Sequence, residues 1–553
     1  GKLEFHDLLV LARDLLRDNA DARHHFQQRF SHILIDEFQD TDPIQAEIAV
    51  FIAGEDAGPG PADWTNMKPV PGKLFVVGDP KQSIYRFRRA DIAALEEVRG
   101  LLGSQATYLE QNFRSQVPVL AWVNELFQNW MGDGDGKLQA RYVPLTGRWE
   151  PPEAAPPMGV HCLGGVRDGK AAEVGQEEVQ ALAALLRAIK GNGWKARDGD
   201  GVCDARYQDI CLLLPSRARL RALEQALGDA GVPYRVESQS LVLGTQDVRE
   251  LLNCLRAIDS PADQVAVVAA VRSSAFGCSD VELLQFVENG GRFDYIAPGA
   301  GDGPVREALE RLRYFHEQRP WRVIDDLIEE FVRERQMVEA CFGRTRPRER
   351  WRRLRFVIER ARAFTQVGGS SLRAFLNWME RQAKEGARMV EIPVPETDED
   401  AVRIMTIHAS KGLEFPIVVL AGLGSKPNNS TGKVIADRRG TAVEVSIGSG
   451  EQGVFCTAGY ADAKEREKAA DEAEAVRLMY VAATRAKDHL VVSLFHPRRV
   501  GRGCPAGKIA ELCRERPDLW REVGPDELIS TPHRAALRAP ETVALGTAAA
   551  GRA

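Results

Sequence analysis

The sequence predicts an α/β protein built on parallel sheets, with an all-helical segment inserted into the second sheet. An apolar run at Ile33 ends in acidic residues, and strand, helix and strand patterns alternate from Gly159 to Val236. Helical periodicity then dominates from Gln246 to Lys384, before a strand pattern returns at Val402. Alternation of strands and helices is typical of parallel sheets. A helical segment between two such parts indicates an insertion within one sheet domain.

The first strand carries an acidic pair at its end. Apolar spacing over residues 5–29 predicts one helix that leads into it, and His32 to Ile35 have the length and branching of a buried strand. This strand delivers Asp36 and Glu37 to its carboxyl end, where parallel sheets place their chemistry. Asp36 can hold Mg²⁺, a cation that prefers oxygen ligands, while Glu37 polarises the water that attacks a γ-phosphate.

A second strand, Leu74 to Val77, ends in another polar cluster that includes Gln82. An isolated Asp-Glu pair more often caps a helix, but two strand-end clusters in tandem favour a nucleotide site. The neutral amide of Gln82 can hydrogen-bond a γ-phosphate and respond to its loss.

An alternating aromatic and basic run follows, with Tyr85, Phe87 and Arg88 as candidate DNA contacts. On an extended segment the two rings lie on one side, where they can stack on unpaired bases. The neighbouring arginines suit phosphates, although a solvated face is the alternative. The alternative that the rings are core aromatics also stays open at this point.

The composition is that of an ordinary globular protein. The chain has 553 residues, a net charge of -6 and nine cysteines without a CxxC pair. These values predict several domains, reduced thiols and a cytoplasmic protein, and any DNA site must be a local groove. No apolar run approaches the roughly 18 residues that a membrane span needs. Nine arginines between Arg344 and Arg362 suggest either a solvated helix face or a contact to duplex DNA.

Five blocks carry a resemblance to a known family. They are ILIDEFQDTDPIQ at Ile33, FVVGDPKQSIYRFRRAD at Phe75, LEQNFRS at Leu109, VRIMTIHASKGLEFPIVVLAGL at Val402 and RLMYVAATRAKDHLVV at Arg477. In order and spacing they resemble motifs II to VI of UvrD/Rep-type superfamily 1A DNA helicases, and more closely the RecB/AddA-like branch.

The resemblance implies two RecA-like parallel-sheet domains of the P-loop NTPase class, the first incomplete, with an inserted all-helical domain. On this mapping residues 1–108 are part of domain 1A, residues 109–245 and 401–497 form domain 2A, and residues 246–400 form the helical insertion 2B. Residues 498–553 are then a C-terminal extension or the start of a linker.

The same resemblance, together with charge, assigns the second wall of the nucleotide site. Arg114 and Arg485 present guanidinium groups that stabilise the charge on a transferring phosphoryl group. Phe113 stands where the family often has Tyr, so stacking on the base is kept and a hydroxyl contact is lost. Glu414 resembles the residue that binds the ribose hydroxyl, and Gly412 of the same motif is assigned to the ATP site.

Two further residues resemble contacts to single-stranded DNA. Thr406 and His408 follow the strand that begins at Val402. His408 is not expected to bind a metal, because no Cys or His partner stands at ligand spacing.

A Walker A motif, GxxxxGK[ST], does not occur in the 553 residues. Its glycine-rich backbone cradles phosphates, so the chain carries half of an ATP site. We expect that Gly1 is not a natural start and that the motif precedes it. We see no nuclease signature.

Two functions stay open. The first is an ATP- and Mg²⁺-dependent 3′–5′ DNA helicase of recombination and double-strand-break repair, acting on single strands and on single-strand/duplex junctions. It would be the motor of a helicase-nuclease with a partner of AddB or RecC type. The second is an ATPase-deficient single-strand-binding fragment or scaffold.

Overall fold

The structure is a computed structural model that describes residues 5–528, apart from gaps at 56–57, 59–61, 104–106, 155, 200, 238–241, 344–346, 386–399, 426–431, 437–441 and 449–453. The acidic loop predicted at 391–400 lies outside the described residues except for Asp400. The chain contains alternating helices and strands, followed by a helical stretch and a return to strands.

The first part of the chain forms a small parallel sheet covered by helices. The strands β1 (Ile33–Ile35) and β2 (Leu74–Val76) pair in register, Leu34 opposite Phe75. The predicted single helix over 5–29 is wrong: two helices form, Phe5–Asp18 and Ala20–Arg29. Asn19 separates them because its side chain accepts a hydrogen bond from the backbone N–H of Ala22 and so caps the second helix.

The prediction that β1 is buried is also wrong. Leu34 is 74% exposed and Phe75 on the neighbouring strand is also exposed. Within the described residues this sheet has only two strands, so one of its faces has no apolar neighbour. The branched residues therefore predicted the strand correctly but not the burial of its side chains.

A second sheet of seven parallel strands forms the centre of the described chain, in the order β10-β11-β9-β12-β16-β5-β18. The strands of this part are β3 (Gln111–Gln116), β4 (Thr146–Trp149), β5 (Gly159–Leu163), β6 (Val166–Arg167), β7 (Lys195–Asp198), β8 (Gly201–Asp204), β9 (Ile210–Leu214), β10 (Tyr234–Val236), β11 (Val402–Thr406), β12 (Phe415–Leu420), β13 (Val434–Ala436), β14 (Val443–Gly448), β15 (Val454–Cys456), β16 (Ala486–Ser493), β17 (His496–Pro497) and β18 (Arg521–Glu522). Strands β9, β12 and β16 are apolar and buried, as expected where helices cover both faces of a parallel sheet.

Eight α-helices separate β10 from β11 in the described sequence, although these two strands are adjacent in the sheet. The helices are Gln246–Asp259, Gln264–Val271, Asp280–Glu288, Pro304–Gln318, Ile324–Glu334, Met337–Phe342, Pro347–Gln366 and Leu372–Glu385. The helical stretch is thus inserted between neighbouring strands, as the periodicity predicts. Its assignment to a domain 2B, like the other domain boundaries, stays a prediction.

The remaining helices pack on the two sheets. They are Pro43–Ala53, Ile92–Leu102, Val117–Met131, Ala171–Gly191, Leu220–Asp229, Tyr460–Ala483 and Pro505–Glu515. One hydrophobic core joins the inserted helices to one face of the large sheet, and a second covers the other face. Ile84 of the first part lies in this second core, so the two parts of the chain pack directly against each other.

The arginine-rich helix Pro347–Gln366 uses several of its guanidinium groups within the protein. Arg353 is buried and pairs with Glu224 and Asp247, while Arg362 pairs with Asp325. These contacts favour a structural role for part of the cluster. In the part of the chain that the structure describes, no helix combines the length and the apolar character of a membrane span.

Candidate active site

The predicted catalytic acids stand at the carboxyl end of β1. Glu37 adopts a left-handed backbone conformation with φ 52°, and its N–H donates to Asp36 Oδ1 over 2.8 Å. Non-glycine residues in this conformation are uncommon and concentrate at functional sites. The turn leaves both carboxylates exposed, on the side where the next helical turn, Phe38–Asp40, begins.

Lys411 connects this acidic turn to the second sheet. Its Nζ lies 2.6 Å from Asp40 Oδ2 and 3.6 Å from Glu37 Oε2, and it donates to the backbone carbonyl of Gln82 over 2.9 Å. Burial raises the pKa of Asp40, and the Lys411 ammonium opposes that rise. Lys411 was not among the predicted site residues. Its place in the KGLEF block, three residues before Glu414, was the signal that pointed to it.

A cavity of about 730 Å³ lies between the two sheets. Asp79 and Gln82 line it from the first part of the chain, and Arg114, Glu414 and Arg485 line it from the second. Five predicted residues thus share one cleft, since Phe113 lines it as well. Asp36, Glu37 and Gly412 are not part of its lining, and Gly412 lies in an exposed turn with φ 81°.

Arg485 is held rigidly at the bottom of this cavity. Its side chain is 2% exposed, and it donates from Nε to the carbonyl of Val481 and from Nη1 to that of Leu413. Burial and the nearby Arg114 lower the pKa of Arg485 to about 10, so it stays charged at neutral pH. The backbone contacts fix the direction of the remaining Nη2 group.

Arg114 occupies the other side of the cavity, where it pairs with Glu414 over 2.7 Å. Glu414 also contacts Lys487 over 3.4 Å. Burial raises the pKa of Glu414, but the hydrogen bonds and charges of Arg114 and Lys487 outweigh burial and lower it. Glu414 is therefore ionised at neutral pH and can accept a hydrogen bond from a hydroxyl group.

Phe113 presents an aromatic ring to the same cavity. The ring is 57% exposed, and the guanidinium of Arg148 lies 5.5 Å from its centre. The indole Nε1 of Trp149 donates to the carbonyl of Phe113 over 2.6 Å. An exposed ring backed by a cation suits stacking on a flat, electron-poor ring such as a nucleobase.

A separate cluster contains the predicted DNA-binding aromatics. Tyr85 and Phe87 contact each other edge to face with centroids 5.8 Å apart, and His408 lies 5.8 Å from Phe87 and 6.4 Å from Tyr85. The Tyr85 hydroxyl is 3.5 Å from the His408 carbonyl. Burial lowers the pKa of His408 to about 4, so its ring is neutral at pH 7.

The prediction of an extended backbone for this run is wrong. Arg86–Arg88 form a 3₁₀ turn, and Arg89 follows with φ 70°. Tyr85 and Phe87 meet because the chain turns. Arg86, which flanks the rings, pairs with Glu467 and Asp471 instead of facing solvent.

The remaining DNA candidates differ in exposure. Arg88 is exposed, whereas Thr406 is buried and its hydroxyl accepts a hydrogen bond from the N–H of Ala409. Thr406 therefore shapes the turn that carries His408. The alternative that Tyr85 and Phe87 are core residues is not favoured, since both stay half-buried.

The chemistry of the cleft fits a nucleoside triphosphate. Arg114, Arg485 and Lys487 supply positive charge for phosphates, and Phe113 supplies a stacking surface. Asp36 fits one oxygen ligand of Mg²⁺, which usually binds one or two carboxylates together with phosphates and water. No group of three His, Cys, Asp or Glu side chains in the described ranges forms a complete metal site.

Sequence reasoning missed several lining residues besides Lys411. They are Asp79, Asn112, Trp149, Arg197, Tyr480, Thr484 and Lys487. Asp79, Asn112, Tyr480, Thr484 and Lys487 stand inside the quoted motifs, so proximity was a usable signal. Trp149 and Arg197 lie outside every motif, and no local pattern identifies them.

Comparison with known proteins gives the same family at both ends of the chain. The UvrD/REP helicase N-terminal domain matches residues 1–101, and the UvrD-like helicase C-terminal domain matches residues 324–497. An AddA-type ATP-dependent helicase/nuclease protein of Bacillus cytotoxicus is 29% identical over 89% of this chain. The protein of the same name from Bacillus cereus is 27% identical over the same share.

The chain spans 42% of the length of each of these two relatives. Both matched domains are those of UvrD-like helicases, and both relatives bear the name of an ATP-dependent helicase/nuclease. The paired acids, the bridging glutamine and the two arginines stand in the blocks that carry the resemblance. The chain therefore belongs to the UvrD/Rep-type helicases and is similar to the AddA-type members of that family.

Proposed function

We propose that this chain is the motor part of an ATP-dependent DNA helicase that moves 3′ to 5′ along single-stranded DNA. The observation that carries the proposal is the cleft in which Gln82 of the first sheet faces Arg114, Glu414 and Arg485 of the second. Phosphoryl transfer depends mainly on positioning and on charge stabilisation, which such a cleft provides. A cleft between two packed units also allows hydrolysis to change their relative position.

Each side chain then has a role that its geometry supports. Phe113 stacks on the base and Glu414 accepts from the ribose. Arg114 and Arg485 stabilise charge on the γ-phosphate, and Glu37 orients the attacking water. Mg²⁺ held through Asp36 would offset charge on the phosphate oxygens. Gln82 responds to loss of the γ-phosphate because it contacts Arg485 on one side and Asp79 on the other.

The DNA path runs over the aromatic cluster of Tyr85, Phe87 and His408. The three rings join the segment after Gln82 to the turn after β11, so a change in the cleft reaches both sides of the cluster. Neutral rings stack on bases without sequence preference. This supports single strands and single-strand/duplex junctions as substrates, in recombination and double-strand-break repair.

The partner is proposed from the relatives. Their name designates one component of a helicase/nuclease that is built from more than one polypeptide. We infer that the natural protein works with a second polypeptide of AddB or RecC type.

The test uses the protein as it is naturally expressed, with ATP, Mg²⁺ and poly(dT). We expect ATP hydrolysis that DNA stimulates, and faster displacement of streptavidin from a 5′-biotinylated than from a 3′-biotinylated strand. Glu37→Gln should reduce turnover by at least about 100-fold while ATP binding persists, because general-base assistance is worth about 10²–10⁴. Glu55→Gln, an exposed acid in the same part of the chain, is the matched control.

A folded protein that binds single-stranded DNA without DNA-stimulated hydrolysis would replace the motor by the scaffold function. Equal turnover of Glu37→Gln and the wild type would remove Glu37 from the mechanism.

A further inference from the structure

Trp149 and Arg197 form a pair that contacts two consecutive carbonyl groups in the cleft. The indole Nε1 of Trp149 donates to the carbonyl of Phe113, and Arg197 Nη2 donates to the carbonyl of Arg114. The guanidinium of Arg197 also lies 4.6 Å from the centre of the Trp149 ring. The residue expected to stack on the base and the residue expected to bind phosphate are therefore held by one unit.

This pair is itself anchored to the large sheet. Arg197 lies on β7, and its backbone N–H donates to Asp488 Oδ2 over 2.8 Å. Asp488 is fully buried on β16, and its other oxygen accepts from Gln116. Strand β16 begins directly after Arg485, so the anchor connects both predicted phosphate-binding arginines to one strand.

Burial and charge both indicate that Arg197 does more than fill space. Its side chain is only 10% exposed, and its nearest acid, Asp488, lies 3.7 Å from Nε. Nη1 has no hydrogen-bond partner within the described part of the chain. Burying an arginine in this way is costly unless its contacts are needed, and the cleft is the adjoining space.

We propose that Trp149 and Arg197 are positioning residues that fix the Phe113–Arg114 dipeptide in the nucleotide cleft. The proposal rests on the proposed function, because it assumes that the cleft takes a nucleoside triphosphate. Trp149 holds the carbonyl beside the stacking ring and acts on nucleotide binding. Arg197 holds the carbonyl of Arg114 and acts on the step in which phosphate charge develops. Arg148 covers Phe113 and leaves the ring enough exposure for a base.

The two residues predict different kinetic effects. Trp149→Phe keeps the ring but removes the N–H, and should raise KM for ATP about tenfold with kcat nearly unchanged. Arg197→Gln removes the charge and should lower kcat about tenfold with a smaller change in KM. Each loss corresponds to about one hydrogen bond at a buried site. Arg197→Lys, which keeps one charged donor, should recover part of kcat.

The controls are Trp351→Phe and Arg355→Gln in the inserted helices, where the guanidinium of Arg355 lies 5.5 Å from the Trp351 ring. They should leave both constants unchanged. Binding of a fluorescent ATP analogue, measured without DNA, gives a readout besides turnover, and only Trp149→Phe should weaken it about tenfold.

The outcomes separate the two proposals. A wild type that neither binds nor hydrolyses ATP would overturn the proposed function and this inference together. An active wild type with variants that lose thermal stability but show no KM-against-kcat split would overturn only the positioning role. Lack of any recovery in Arg197→Lys would contradict the need for a charged donor.

Discussion

Arg485 Nη2 and Gln82 Oε1 lie 3.4 Å apart, although 403 residues separate them in the chain. Gln82 Nε2 donates to Asp79 Oδ2 over 3.0 Å, so its amide oxygen faces the arginine and its nitrogen faces the acid. The contact joins the two sheets across the cavity. Gln82 can therefore transmit a change at the phosphate site to the segment that carries Tyr85.

Gln82→Ala should lower DNA-stimulated ATP turnover by about tenfold or more and change KM for ATP much less. The reason is that the amide contacts a group whose charge develops in the transition state, so its loss falls on kcat. Steady-state kinetics with poly(dT) measures both constants. Gln285→Ala, an exposed glutamine of the inserted helices, should behave as wild type. A change in KM alone would show that Gln82 only contributes to binding.

Lys411 should stabilise the contact between the two parts of the chain through Asp40. Because burial raises the pKa of Asp40, removing its cation leaves a poorly solvated carboxylate. A double-mutant cycle with Lys411→Met and Asp40→Asn should give a coupling of about 1–3 kcal/mol in the free energy of unfolding. Urea denaturation measures it.

The matched pair is Lys190 and Asp400, whose side chains meet over 2.7 Å at the surface. Their cycle should give about 1 kcal/mol or less, as exposed pairs do. Equal coupling in the two cycles would mean that the Lys411 contact contributes no more than a surface ion pair.

Tyr85→Ala should weaken binding of single-stranded DNA by about 1–3 kcal/mol, because a base loses its stacking surface. Tyr85→Phe should cost much less, since the ring remains and only the 3.5 Å contact to His408 is lost. Fluorescence anisotropy with labelled poly(dT) measures the affinities at fixed salt. Trp321→Ala, an exposed aromatic of the inserted helices, is the control. Unchanged affinity of Tyr85→Ala would return the ring to a structural role.

His489 should make folding stability depend on pH. Burial lowers its pKa to about 4, so the folded protein keeps the ring neutral while the unfolded chain takes up a proton below about 6.5. The stabilisation is therefore complete above pH 6.5 and is lost as the pH falls towards 4. At pH 5 the loss is about 2 kcal/mol.

His489→Gln should show a smaller difference in stability between pH 7 and pH 5, each variant being compared with itself at pH 7. His32→Gln, at an exposed position, should retain the wild-type difference. Urea midpoints at the two pH values measure this. The same pH dependence in His489→Gln would assign the acid sensitivity to other groups, such as the neighbouring His161, whose pKa burial also lowers.

The sequence by itself determined the family, the strand-end acids and the position of the helical insertion. These features depend on local patterns: β9 and β11 are short branched runs, and the helices after Gln246 follow a period of 3.6 residues. It also placed Gln82, Arg114, Glu414 and Arg485 together, because each lies in a motif that the family keeps in a shared cleft.

Only the tertiary structure decided which partners these residues take. Leu34 is exposed because its burial depends on neighbouring strands rather than on its own segment. Arg86 pairs with acids on a helix more than 380 positions away. Trp149 and Arg197 hold Phe113 and Arg114 without belonging to any motif. Such choices follow from long-range packing, which places groups distant in sequence within hydrogen-bonding distance and is not encoded in any local period.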